Sequence, residues 1–130
     1  MSLNDTLSNA LSKIKNAEER GKRECFISPT SSIIRKVLKL MNENHYIGDF
    51  EEVYDIPKSI IKVNLIGKIN KCSTIKPRFA VKKGDFEKFE KRWLLAKGFG
   101  MLIISTNQGI MTHEDAKKKG IGGKLLAYIY

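Results

Sequence analysis

The chain carries two histidines and two cysteines, and neither pair is spaced for chemistry. Cys25 and Cys72 are isolated, with no CxxC pair and no histidine at ligand spacing, so no metal site is expected and both read as reduced, packed thiols. His45 and His113 lie far apart and neither has a partner motif nearby, which assigns them surface or capping roles. "GIGGK", Gly120 to Lys124, has the glycines and lysine of a phosphate loop. A Walker loop, however, places four residues between its glycines, ends in GKS or GKT and joins a strand to a following helix. Here the expected order is helix, glycines, strand, which rejects nucleotide hydrolysis. Ser105 and Thr106 bear hydroxyls, but no histidine or carboxylate stands at a recognisable spacing and neither sits in a GxSxG elbow. The acids Asp49, Glu51, Glu52 and Asp55 suit a solvated hairpin face. No catalytic residue, metal or cofactor is expected, and the chain does not read as an enzyme.

Binding chemistry has more to hold. In "ISTNQGIMT", Ile104 to Thr112, a greasy run breaks off into Ser105, Thr106, Asn107, Gln108 and Gly109. Hydroxyls and amides both donate and accept, so they can pair with base edges and ribose 2'-hydroxyls where a lysine satisfies acceptors alone. Backbone that must approach a shallow RNA minor groove cannot carry bulky side chains, which gives Gly109, Gly122 and Gly123 a purpose beyond turning. Ordinary turn chemistry explains both loops as well, because Asn, Gly and Ser dominate turns anyway. "PTSS", Pro29 to Ser32, stands at a helix start, where unpaired amides and the positive end of the helix dipole suit a phosphate. Plain capping is the competing explanation there.

Charge favours the same partner. Lys and Arg number 24 against 14 Asp and Glu, a net charge of +10, with a pI near 9.7. The first part up to Arg78 holds 14 basic and 9 acidic residues and the remainder 10 and 5, so each carries +5. The excess is spread over folded sequence, which suits a domain laying a broad face on a polyanion rather than a disordered basic arm. Nucleic acid is the favoured partner. No helix combines a strongly basic face with exposed Trp, Phe or Leu, no apolar run approaches the roughly 20 residues of a membrane span, and the N-terminus lacks a basic n-region. A soluble, globular, cytosolic chain with no membrane partner is expected.

The elements that must position these groups follow from periodicity. Leu3, Leu7, Ala10, Leu11, Ile14 and Ala17 predict an amphipathic helix from residue 3 to about 19, ended by Gly21. A short strand over Glu24 to Ile27 leads to "SPTSS", whose several possible N-caps open a second helix running to about Asn44. Ile47 to Tyr54 and Ser59 to Ile66 read as paired strands around "DIPK", and a third, more polar strand falls within Ile69 to Ile75. Proline and glycine around "KPRFAVKKGD" place a lobe boundary near Arg78, giving lobes 1–78 and 79–130. The second lobe should hold a short helix that Asp85 can cap, with Phe86, Phe89 and Trp93 on one side, and a strand from Gly100 to Ser105. A helix "HEDAKKK" opened by Thr112 and Asp115 and stopped at Gly120 should follow, then a last strand from Lys124 to Tyr130. The expected class is α/β, more narrowly α+β, in two small lobes. The N-terminal lobe is helix-strand-helix with a short sheet, and the C-terminal lobe is a small antiparallel sheet with short helices.

These residues also resemble a known family. "ISTNQGIMTHEDAKKKGIGGKLLAYIY" is similar to the C-terminal signature of small-subunit ribosomal protein eight: a strand ending in Ser-Thr, then Gly, a short charged helix, and Gly-Gly leading into the last strand. "TLSNALSKIKNAEERGKREC" resembles the family's first helix and strand and "SSIIRKVLKLMNENHYIGDFE" its second helix and strand. "PRFAVKKGDFEKFEKRWLLAKGFG" looks like the longer linker of its archaeal and eukaryotic branch. The resemblance covers essentially the whole chain. It implies a two-lobed protein, monomeric when free, that binds the central domain of small-subunit ribosomal RNA as a primary binder, aids subunit assembly and meets neighbouring small-subunit ribosomal proteins. A regulatory RNA binder outside the ribosome, such as a repressor of its own operon's mRNA, is the alternative. Carried over by position, Ser105 and Thr106 match the dipeptide that contacts RNA bases, with Asn107 and Gln108 beside it, and Gly122 and Gly123 match glycines lying against RNA backbone. Thr30, Ser31 and Lys58 fall near the N-terminal lobe's RNA contacts. The bacterial pattern often has a second Ser where this chain has Asn107, which keeps donor and acceptor but adds bulk.

Overall fold

The structure is a computed structural model that describes residues 6–28, 31–55, 58–76, 78–82, 84–94 and 99–130, with backbone alone described for 54–55 and 58–59. The chain divides into two compact units, Met1–Asn70 and Lys71–Tyr130. In the first, helix α1 (Thr6–Glu19) buries Leu7, Ala10, Leu11, Ile14 and Ala17. That stripe follows from the i, i+3, i+4, i+7 spacing, and each large aliphatic side chain so buried contributes roughly 1.5–3 kcal/mol. The helix ends where Gly21, at φ 70, turns the backbone so that Gly21 N–H reaches Glu18 O and Lys22 N–H reaches Ala17 O.

Strand β1 (Glu24–Ile27) precedes helix α2 (Ser32–Glu43). Ser31 is the residue chosen from the run of possible caps: its Oγ accepts the Ile34 N–H at 3.3 Å. Such a cap is worth about 1 kcal/mol. The same end-motif closes α2, with His45 in the left-handed position at φ 64 and N–H bonds from His45 to Asn42 O and from Tyr46 to Met41 O. His45 is therefore exposed and at a helix end, as its sequence surroundings imply. Strands β2 (Ile47–Asp55) and β3 (Lys58–Leu65) pair antiparallel, and β1 lies on the other side of β3, so the sheet order is β1-β3-β2. Arg35 of α2 is ion-paired with Glu52 of β2, so that acid is bound to a neighbouring helix rather than merely solvated.

The second unit is built on its last strand. Strand β4 (Cys72–Thr74) and the short β5 (Ala80–Val81) both pair antiparallel with β8 (Gly123–Ile129). On the other side of β8 lies β6 (Met101–Thr106), and β6 in turn pairs with β7 (Gly109–Thr112). The polar strand expected within residues 69–75 thus belongs to this sheet and not to the first. The change of partner comes between Ile69, whose N–H bonds Glu18 Oε2 of α1 at 2.9 Å, and Lys71, whose N–H and C=O both bond Tyr130 at 2.9 Å.

Helix α3 (Phe86–Trp93) covers the sheet, with Phe86 and Phe89 joining Leu102, Ile104, Met111, Leu125 and Tyr128 in one core cluster. Asp85 occupies the N-cap position of α3, but its side chain makes no capping bond. Its conformation is not extended (φ −105, ψ 8), so the carboxylate is not delivered to the helix amides as a capping residue's would be. Helix α4 (His113–Lys119) is capped by Thr112, whose Oγ1 accepts from Asp115 N–H at 3.3 Å, and ends at Gly120 with φ 68. Among the described residues no helix is long and apolar enough to cross a membrane. Cys25 and Cys72 are both buried, and neither is in a disulfide.

Candidate RNA-binding interface

The polar end of β6 is one arm of a two-residue hairpin. Thr106 pairs with Gly109 across the turn Asn107-Gln108, and Gly109 takes the positive φ of 114 that closes it. The Thr106 hydroxyl holds this turn together: it donates to Gly109 O at 2.8 Å and accepts from Gln108 N–H at 3.1 Å. Asn107 and Gln108 are exposed at the tip, while Ser105 and Thr106 are half-buried.

Ser105 is different from its neighbour. Among the described residues its hydroxyl has no hydrogen-bond partner, so one donor and two lone pairs remain available at a half-exposed position. Ser105 stands directly opposite Lys124 on β8 and Ile110 on β7. Directly opposed residues project from the same face of a sheet, so the free hydroxyl and the exposed Lys124 ammonium share one face. Next to them, a β-carbon on residue 123 would lie 2.2 Å from Ser105 O and 3.0 Å from Ser105 C. Gly123 therefore has a reason within the protein, since any side chain would collide with the β6 main chain. Gly122 is half-buried, and in sequence the pair is bracketed by the exposed cations Lys118, Lys119 and Lys124.

The hairpin is held to the rest of the unit by a buried polar cluster. His113 is 2% exposed and Glu90 5%, so His113 is not a surface residue, contrary to the sequence expectation. The chain leaves β7 at Thr112, opposite Ile103, and Leu102 N–H lies one residue beyond the ladder. His113 Nδ1 accepts that N–H at 3.0 Å, and Nε2 stands 3.0 Å from Glu90 Oε1. An Nδ1 that accepts carries no proton, so the ring is neutral and donates from Nε2 to the carboxylate. Burial pushes the His113 pKa below its ordinary value; the Glu90 carboxylate opposes this and the Lys117 ammonium adds to it. Lys117 is also ion-paired with Glu90. The i, i+3, i+4 spacing of His113, Ala116 and Lys117 is the signal that could have placed all three on one side of α4.

The structure thus brings Ser105, Thr106, Asn107, Gln108, Gly122 and Gly123 into one small region of the second unit. Ser31 is in the first unit as the cap of α2, where its Oγ accepts the Ile34 N–H. Lys58 opens β3 opposite Asp55 in the backbone ladder; its side chain lies outside the described residues, as does Thr30 entirely. A surface of unpaired hydroxyl, exposed amides, main chain stripped of bulk and flanking lysines is one that can hydrogen-bond and neutralise a folded polyanion. The sequence model of the family described as ribosomal protein S8 matches residues 5–130. The chain belongs to the ribosomal protein S8 family. Members of the S8 family are small-subunit ribosomal proteins that bind ribosomal RNA, and S8 membership makes this chain an RNA-binding, structural component of the ribosome that works among other ribosomal proteins.

Proposed function

We propose that the chain is a primary binder of the central domain of small-subunit ribosomal RNA that aids assembly of the subunit, acting without catalysis. Ser105 carries the base-specific contact, with Asn107 and Gln108 alongside. Gly122 and Gly123 let the main chain lie against RNA backbone, and Lys124 with the α4 lysines neutralises phosphates. Thr30, Ser31 and Lys58 supply contacts from the first lobe. Free of the ribosome, the protein is a cytoplasmic monomer. The observation that supports this best is the Ser105 hydroxyl, without a partner among the described residues and on the same sheet face as Lys124. A hydroxyl that served turn chemistry alone would be bonded within the turn, as that of Thr106 is.

The test is Ser105→Ala. With no hydrogen bond to another described residue to lose, the variant should unfold within about 0.5 kcal/mol of the parent. Binding to central-domain ribosomal RNA should weaken by about 1–3 kcal/mol, the cost of an unmet hydrogen bond in a closed interface. Unchanged affinity in a folded Ser105→Ala variant counts against the assignment.

A further inference from the structure

Strand β7 is 4 residues long and stands at the edge of its sheet, paired among the described strands with β6 alone. Its ladder runs from Thr106 opposite Gly109 to Ile103 opposite Thr112, and the next rung would set Leu102 against residue 113. There the chain turns away into α4, so residue 113 continues no strand. The His113 ring takes the place of the missing strand carbonyl, with Nδ1 accepting the Leu102 N–H at 3.0 Å. A side chain thus supplies the last rung of a short edge strand.

That rung needs an unprotonated Nδ1. A proton taken up there turns the acceptor into a donor facing another donor, and the ring must part from the Leu102 amide. Among the described residues, the charged groups acting on the ring are Glu90 of α3, 3.0 Å from Nε2, and Lys117 and Glu114 of α4. Strand β6 meets it with the Leu102 amide. Glu90 is already ion-paired with Lys117, so on protonation one buried carboxylate would face two cations. Burial penalises that surplus charge, which the ring can shed by swinging out.

We propose that His113 is a proton-operated latch for RNA binding: one proton from solvent on Nδ1 breaks the bond to Leu102, β7 loosens from β6, and the hairpin that presents Ser105, Asn107 and Gln108 releases RNA. This rests on the hairpin region as the second unit's RNA contact. The latch is closed above the folded pKa of the ring and opens as pH falls through it. Its direction is opposite to that of bulk charge. Protonating both histidines raises the net charge from +10 to +12, and a more cationic protein holds a polyanion more tightly. His45, exposed at the end of α2, follows that ordinary rule.

The experiment follows the ring protons of both histidines by NMR through a pH titration, with the full chain free and bound to a central-domain ribosomal RNA fragment. Proton and RNA are linked, so each lowers the affinity for the other by the same factor. RNA should therefore lower the His113 pKa while leaving that of His45 unchanged or raised. One pH unit below the free-chain His113 pKa, RNA affinity should be about tenfold weaker than at pH 7.5, because only about a tenth of the chains are then latched. Hydrogen exchange at the Leu102 amide should quicken in step with His113 protonation, ahead of the other β6 amides. His113→Gln, whose amide oxygen can accept the same N–H and takes no proton, should hold its affinity across the range. If that variant does not fold, the pKa change and the order of exchange in the parent decide alone. Ser105→Ala should bind more weakly throughout with the tenfold fall intact. A Ser105→Ala variant that binds like the parent and still shows the fall would sink the role given to Ser105 and keep the latch. A His113 pKa raised by RNA, equal falls in the parent and His113→Gln, or β6 amides all exchanging together would each overturn the latch.

Discussion

Gly123 lies so close to Ser105 that a β-carbon would sit 2.2 Å from the Ser105 carbonyl oxygen. The obstacle is backbone and cannot rotate away, so Gly123→Ala must push β8 from β6. The expected cost is about 3 kcal/mol, the upper part of the range for overpacking a close-fitted site. Urea unfolding would measure it. Gly122→Ala, at the neighbouring position outside the strand, provides the comparison and is expected to cost less in stability than in RNA affinity.

Thr106 and Ser105 should separate in the same assays. Thr106→Val removes the hydroxyl that bonds Gly109 O and Gln108 N–H, and the hairpin should lose about 1 kcal/mol of stability. Thr106→Ser keeps both bonds and should restore most of it. Thermal unfolding of the two variants beside Ser105→Ala checks whether only Thr106 supports the fold.

The neutral, buried ring of His113 makes stability depend on pH. Its folded pKa is depressed, chiefly by burial, so between that value and the unfolded value of about 6.5 the unfolded chain binds the extra proton. Stability is therefore full above about pH 6.5 and declines as pH falls through it, by at most about 1.4 kcal/mol per pH unit. Unfolding free energies at pH 7.5 and 5.5 should show this decline in the parent. In His113→Gln the part of the decline due to the imidazole should vanish, on a lower baseline. A slope identical in both proteins would assign the acid sensitivity elsewhere.

His45 holds a left-handed conformation at φ 64 to close α2, and a residue with a β-carbon pays for that geometry. His45→Gly should stabilise the first unit by about 1 kcal/mol. The side chain is exposed, so no packing is lost. A fall in the urea midpoint would contradict this account of the helix end.

Much of this architecture is legible in the residue pattern because it is local. The stripe from Leu7 to Ala17 specifies α1, and Thr112 with Asp115 announces α4 through a bond three residues long. The features that escape are those decided across the chain. Residues 109–112 are too few for a period to show, so β7 is visible only as the partner of β6. The pairing of Cys72–Thr74 with β8 joins residues more than fifty positions apart. Asp85 has the right type and position for a cap but the wrong backbone. His113 is polar in sequence and buried in space, because Glu90 from a different helix reaches it. For the proposed RNA-binding region, the polar break at Ser105 is readable, whereas the lysine that shares its face is fixed by sheet register. The different fates of the Ser105 and Thr106 hydroxyls are settled by turn geometry, which the dipeptide alone does not encode.

The place of β8 has a consequence for how the molecule comes into being. A ribosome delivers residues in order, and the strands of the first sheet have all been made once Leu65 emerges. In the second, β4, β5 and β6 each pair with β8, which follows all of them in the chain. Until that strand leaves the exit tunnel, the nascent second unit lacks the centre on which its other strands assemble. The face that Ser105 shares with Lys124 therefore exists only once the chain has been made through β8, long after the first sheet has all its strands.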